Sequence, residues 1–91
     1  MNNSETILGQ SLGWLRSERG LNTVRQLAEK HNIPEEAVSA FLRYIEHGLD
    51  AGSFYQSVLR GRFDIAIYKA DSDNHRDIAN YLYFYEAMGR V

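Results

Sequence analysis

The sequence predicts an all-α fold: one compact domain over residues 1–91, with about five or six short helices that include a helix-turn-helix-like pair. Three observations lead to this prediction. The 91 residues are enough for a single modest core. Hydrophobic residues make up 44% of the chain, with only one Pro and seven Gly, which is typical of a folded protein. Apolar residues also recur at helical spacing along most of the sequence.

The first twenty residues predict one helix. Asn3 or Ser4 provides its cap, and Gly20 ends it as a C-terminal cap. A second helix is expected to open at Asn22 or Thr23, because apolar residues then fall on one face.

A turn and a third helix follow. In "NIP", at residues 32–34, Asn32 tolerates a left-handed backbone and Pro34 suits a first helical turn. The third helix is expected over residues 35–46 and ends at Gly48. Its core stripe is Val38, Phe41, Leu42 and Ile45.

The second half of the chain predicts shorter elements. "LDAGSFYQSVLRG" indicates a turn and a short helix capped by Asp50 or Ser53. Residues 63–69 fit either a strand or a helix. Helix is the prediction, because no second strand is present to pair with this segment.

The last predicted helix follows a polar turn. "DSDN" at residues 71–74 is expected to cap a helix that extends to Met88 and is closed by Gly89.

Composition limits the class of function. Ten basic residues face twelve acidic ones, for a net charge of −2. This balance argues against a general polyanion binder and against an acidic mimic of DNA. The sequence contains no Cys, and its start shows neither a signal peptide nor a membrane span. We therefore expect a cytoplasmic protein with no membrane partner.

The stretch "QLAEKHNIPEEAVSAF", residues 26–41, has the pattern of a helix-turn-helix. Ala28 fits the position where the two helices cross closely. The buried positions of the motif are then Leu27, Ile33, Val38 and Phe41. The pattern predicts a scaffold, which many proteins use without binding DNA.

The side chains of this pair argue against base reading. Its second helix opens with Glu35 and Glu36, which would face phosphates, whereas base reading favours Arg, Lys, Asn or Gln. Carboxylates in a first turn instead complement the helix dipole. A DNA-binding regulator is thus the alternative function. In that alternative the contacts would come from Arg25, Ser39, Ala40 and Arg43.

No constellation in the sequence indicates catalysis, a cofactor or a metal. "DSDNH" at residues 71–75 resembles the start of a calcium loop, but the sixth and twelfth places hold Arg76 and Leu82 instead of Gly and Glu. His31, His47 and His75 lack the spacing of a helical metal site. We expect no enzyme activity.

The aromatic stretch "NYLYFYEAM", residues 80–88, indicates a binding surface. Tyr81, Phe84, Tyr85 and Met88 form one stripe, which is most simply core, and Tyr83 lies off it. Tyr and Arg often anchor protein interfaces. The expected partner contacts are therefore Tyr83, Arg60, Arg62 and, more weakly, Tyr44; a homodimer is a further expectation.

The middle of the chain resembles a group of small proteins encoded by bacteriophages and prophages. Their pattern is Tyr-Ile-x-x-Gly, Gly-x-Phe, Val-Leu and Ala-Asp-x-x-Asn. The matching residues are Tyr44, Ile45, Gly48, Gly52, Phe54, Val58, Leu59, Ala70, Asp71 and Asn74. The chain departs from the pattern at residues 61–63.

The resemblance implies an accessory phage protein and brings no catalytic residues. Small phage proteins of this kind often bind and block a bacterial host or defence factor, as anti-CRISPR proteins do. Inhibition through protein contact is therefore the leading expectation for function.

Overall fold

A computed structural model describes residues 5–91, which form seven helices and a two-stranded hairpin. The strands are β1 (Thr6–Ile7) and β2 (Gln10–Ser11). The helices are α1 (Leu12–Leu15), α2 (Glu18–Lys30), α3 (Glu35–His47), α4 (Ser53–Leu59), α5 (Phe63–Lys69), α6 (Ser72–Arg76) and α7 (Ile78–Gly89). The predicted all-α class is confirmed, with the hairpin as a small addition.

The hairpin occupies part of the segment that the sequence predicted as the first helix. Its two-residue turn consists of Leu8 and Gly9, both with positive φ (55° and 73°), as a type I′ turn requires. Leu8 is fully buried, and its N–H donates to the carbonyl of Leu59 at 2.8 Å. Burial thus holds a leucine in a conformation that leucine rarely adopts. The predicted cap at Asn3 or Ser4 lies outside the described residues.

The prediction that Gly20 ends a helix is also wrong. The Ser11 and Ser17 hydroxyls cap α1 and α2, accepting hydrogen bonds from the N–H groups of Trp14 and Gly20. Helix α2 therefore begins at Glu18, four residues before the predicted start. Gly20 lies in its first turn, buried against the end of α1.

Helix α3 follows the prediction closely. Asn32 has a left-handed backbone (φ 59°), and Pro34 precedes the first helical residue. Gly48 ends the helix in the left-handed conformation, with φ 70°. Local sequence signals decide both ends of this helix.

The second half of the chain is helical as predicted, but the predicted cap of α4 by Asp50 or Ser53 is wrong, because Gly52 precedes the helix and no side chain caps it. Residues 63–69 form α5, not a strand, and Phe54 and Leu59 point inward from α4. The final segment differs from the prediction because it is divided. The Asp71 carboxylate caps the short α6, and Asp77 interrupts the helix before α7 begins.

An aromatic cluster joins α3, α4 and α7. Phe41 on α3 stacks on Phe84 of α7, with ring centroids 6.0 Å apart and planes within 3°. Phe54 on α4 meets Tyr81 of α7 edge to face at 5.3 Å. Around these rings lies a continuous core to which every element except β2 and α6 contributes a buried side chain.

Candidate interaction surfaces

Three side chains from distant parts of the chain meet beside the hairpin. Tyr44 of α3 donates its hydroxyl proton to the Glu5 carboxylate, at 3.1 Å. Arg60, at the end of α4, donates to the Tyr44 hydroxyl at 2.6 Å and to Glu5 at 3.0 Å. Its guanidinium also lies over the Tyr44 ring, 5.8 Å from the centroid. We call these three residues the Glu5 cluster.

Two expected partner contacts, Tyr44 and Arg60, therefore lie together, and both side chains already form hydrogen bonds within the protein. The side chain of Arg60 is 46% exposed, so it is accessible, but it already has an acceptor and a ring. Partial burial raises the pKa of the Tyr44 hydroxyl, although the Arg60 charge opposes the rise. The cluster connects the residue before the hairpin to α3 and α4, which indicates a role in holding the fold together.

Arg62 does not join this cluster. It precedes α5, and its guanidinium pairs with the Asp64 carboxylate at 3.2 Å, with both side chains well exposed. The hydrogen bond from Arg62 lowers the pKa of the Asp64 carboxyl. An exposed pair of this kind contributes little stability, so it leaves Arg62 available at the surface.

Tyr83 is exposed, as its position off the core stripe of α7 predicts. Its side chain is 56% exposed, and the neighbouring Leu82 is 38% exposed. Tyr81, Phe84 and Met88 are fully buried on the opposite side of the helix. Helix α7 thus buries one stripe and presents a tyrosine and a leucine to solvent.

Helix α5 presents a second exposed aromatic residue, Tyr68. It is 88% exposed, and Ile67 beside it is 47% exposed. Helices α5 and α7 meet through an edge-to-face contact of Phe63 and Tyr85, with ring centroids 5.8 Å apart. We give the name tyrosine surface to the exposed side chains of these two helices, which form two separate parts: Ile67 and Tyr68 on α5, and Leu82 and Tyr83 on α7.

Tyr68 was not predicted as a contact residue, although the helical pattern of α5 contained the signal. Phe63 and Ala66 lie on one face of α5 and pack into or against the core, as does Ala70 just after the helix. A residue two positions after Ala66 then falls on the far side of the helix. The outward position of Tyr68 was not predicted because residues 63–69 fitted either a strand or a helix.

A groove of about 670 Å³ lies between α2 and α3, the helices of the helix-turn-helix-like pair. It is lined by Arg25, Glu29, Asn32, Ile33, Glu35, Val38, Ser39 and Leu42. The structure therefore brings together two residues of the DNA-binding alternative, Arg25 and Ser39. We call this cavity the α2–α3 groove.

The other two residues of that alternative lie elsewhere. Ala40 is only 6% exposed, so its selection as a DNA contact is wrong, because a buried methyl group does not meet a base edge. Arg43 is exposed on α3 but does not line the α2–α3 groove. The scaffold itself is confirmed: Ala28, Ile33, Val38 and Phe41 are buried, and Leu27 packs against the core.

Residues 5–91 contain neither a metal-binding cluster nor a membrane-spanning helix. No three His, Asp or Glu side chains there lie close enough together to share a metal ion. Over the same range, no helix has both the length and the apolar character that crossing a membrane requires. The polar residues of the calcium-like segment serve helix capping, because the Asp71 carboxylate accepts the Asn74 N–H at 2.8 Å.

Comparison with known proteins finds no match to any family model, curated protein or solved structure.

Proposed function

We propose that this chain is a small accessory protein of the bacteriophage type that acts by binding another protein and catalyses no reaction. Its partner in this proposal is a bacterial host or defence factor, which binding would inhibit. The observation that carries the proposal is the tyrosine surface. Tyrosine side chains bring a large contact area with little conformational freedom to lose, and they are common anchors of protein interfaces.

The placement of the two tyrosines supports this proposal. Tyr68 is 88% exposed and Tyr83 is 56% exposed, so neither side chain is needed to fill the core. Ile67 and Leu82 add apolar area next to them. The exposed Arg62–Asp64 pair stands at the start of α5 and supplies charged groups for the rim of an interface.

The test is capture of the partner from a lysate of the host bacterium with matched variants. We expect the wild type to retain one specific protein and the double variant Tyr68→Ala/Tyr83→Ala to lose it. Removal of one tyrosine anchor costs about 2 kcal/mol of binding, or roughly thirtyfold in affinity. Glu46→Ala changes an exposed side chain of α3, a helix that carries no part of the tyrosine surface, and should bind like the wild type. Equal capture by all three proteins would refute this assignment.

A second copy of the chain is another expected occupant of the tyrosine surface. Light scattering on the purified protein distinguishes the two cases. A dimer that the double variant converts to a monomer would assign this surface to self-association. If the wild type and the double variant are both monomers, the tyrosine surface is not used for self-association and is assigned to a different partner.

A DNA-binding regulator is the second candidate function, favoured by the position of Arg25 and Ser39 in the α2–α3 groove. A gel-shift experiment at moderate salt with the DNA upstream of the gene tests it. Specific retardation that disappears in Arg25→Glu/Arg43→Glu would establish this candidate. We expect no specific retardation, because Glu29 and Glu35 line the same groove and would face phosphates.

A further inference from the structure

We propose that the α2–α3 groove binds a segment of a partner protein that carries a Lys or Arg side chain next to an apolar side chain. This surface shares no residue with the tyrosine surface and does not depend on it. Three features of the groove support this: its apolar floor, the charges on its walls and the lack of ionic partners for those charges within residues 5–91.

The floor of the groove is aliphatic. Ile33, Val38 and Leu42 line it and are each between 7% and 9% exposed, so they show only a narrow apolar strip. These three side chains belong to the core, which keeps the floor rigid. An apolar side chain of a partner can therefore bury against a surface that exists before binding.

The walls carry carboxylates from both helices. Glu29 lies in the last turn of α2, and Glu35 is the first residue of α3, so they stand on either side of the turn at residues 31–34. Both are exposed and line the groove. A cation held between them would interact with two carboxylates at once.

These carboxylates have no ionic partner in the part of the chain that the structure describes. The ion pairs there involve the carboxylates of Glu5, Asp64 and Asp73. Arg25 lies one helical turn before Glu29 on the same wall and is likewise unpaired. The groove therefore presents negative charge at the turn and a single positive charge farther along α2.

This charge pattern selects the occupant. A duplex would place phosphates near Glu29 and Glu35, and such like-charge contacts cost several kcal/mol. A polypeptide with a cation at the turn and an apolar side chain over Ile33 and Leu42 complements both the carboxylates of the walls and the aliphatic floor. Amphipathic segments bind apolar grooves in this manner.

The test uses two synthetic probes and nuclear magnetic resonance. One probe is an acetylated and amidated amphipathic peptide of Leu, Ala and Lys; the other carries Glu at every Lys position. We expect the Lys peptide to shift the amide signals of Glu29, Glu35 and Leu42, and the Glu peptide to leave them unchanged. In Glu29→Gln/Glu35→Gln the Lys peptide should bind at least about tenfold more weakly.

Glu18→Gln/Glu46→Gln is the matched control. It removes one carboxylate from the first turn of a helix and one near a helix end, as the groove variant does, but outside the groove. This control should bind the Lys peptide like the wild type. Equal weakening in both double variants would show that net charge alone attracts the peptide, and would overturn the proposal.

Two further results would also overturn it. One is the absence of groove shifts with the Lys peptide; the other is a short DNA duplex that shifts the groove signals more strongly than the peptide does. Tyr68→Ala/Tyr83→Ala should retain the groove shifts. The groove proposal is therefore tested separately from the proposal that the tyrosine surface binds a partner, and either one can be refuted without the other.

Discussion

Gly20→Ala is expected to destabilise the protein, although Gly20 lies in a helix where alanine is the better helix former. A Cβ atom on Gly20 would lie 2.7 Å from the Cα of Leu15 and would overlap the carbonyl oxygen of Trp14. Ordinary carbon contacts are about 3.5–4.0 Å long. Both atoms belong to the backbone at the end of α1, so no side chain can rotate away to relieve the overlap.

The magnitude follows from two opposing effects. Replacement of Gly by Ala in a helix stabilises it by about 1 kcal/mol. Overpacking of a tightly packed site costs about 1–3 kcal/mol, and the upper end applies here because backbone atoms must move. The net expectation is a loss of about 2 kcal/mol in the free energy of unfolding. That is a substantial part of the total stability of a small domain.

Urea denaturation followed by circular dichroism measures this loss, provided that the dependence of the free energy on urea is unchanged. Gly89→Ala is the matched control, because Gly89 also lies in a helix and a Cβ there meets no atom within 4 Å. That variant should be as stable as the wild type or slightly more stable. A Gly20→Ala protein at least as stable as the wild type would refute the packing of α2 against α1.

Three other predictions concern tyrosines. A double-mutant cycle with Tyr44→Phe and Arg60→Met, measured by urea denaturation, should give a coupling energy of about 1 kcal/mol, because their hydrogen bond is 2.6 Å long; additive effects would contradict this. Burial raises the pKa of the Tyr81 hydroxyl above its ordinary value of 10.0. The unfolded chain then loses that proton first, so the free energy of unfolding should fall above about pH 10, and fall less steeply in Tyr81→Phe; equal slopes would rule out this origin. Gly61→Ala should lower the free energy of unfolding by about 1–2 kcal/mol, since φ is +74° and the new Cβ would lie 2.6 Å from Cζ of Tyr85. Thermal unfolding measures this loss, and an unchanged midpoint would contradict the prediction.

Local signals predicted the parts of the fold whose ends are set by their own residues. Asn32, Pro34 and Gly48 bound α3 in the structure as in the prediction. Each acts through its own backbone preference, which is a property of the residue type. The exposure of Tyr83 was predictable for a similar reason, because the core stripe of α7 determines which face remains outside.

The N-terminal hairpin was not predictable in this way. A two-residue hairpin turn usually contains Asn or Gly at the positions of positive φ, whereas this one begins with Leu8. The conformation is stabilised by burial of the leucine and by its hydrogen bond to Leu59, fifty-one residues later. Helical spacing of the nearby apolar residues therefore led to the wrong element.

The linear pattern of residues was enough to predict the helical class, the extent of α3, the helix-turn-helix-like scaffold and the outward position of Tyr83. The packing of the helices was needed to show that Tyr44 and Arg60 share the carboxylate of Glu5, and that Glu29 and Glu35 line one groove. The helical spacing of apolar residues and the capping of helix ends depend on neighbours within one or two turns, so both can be recognised in the linear sequence. Contacts between distant segments depend on how the helices pack, and no single segment contains that information.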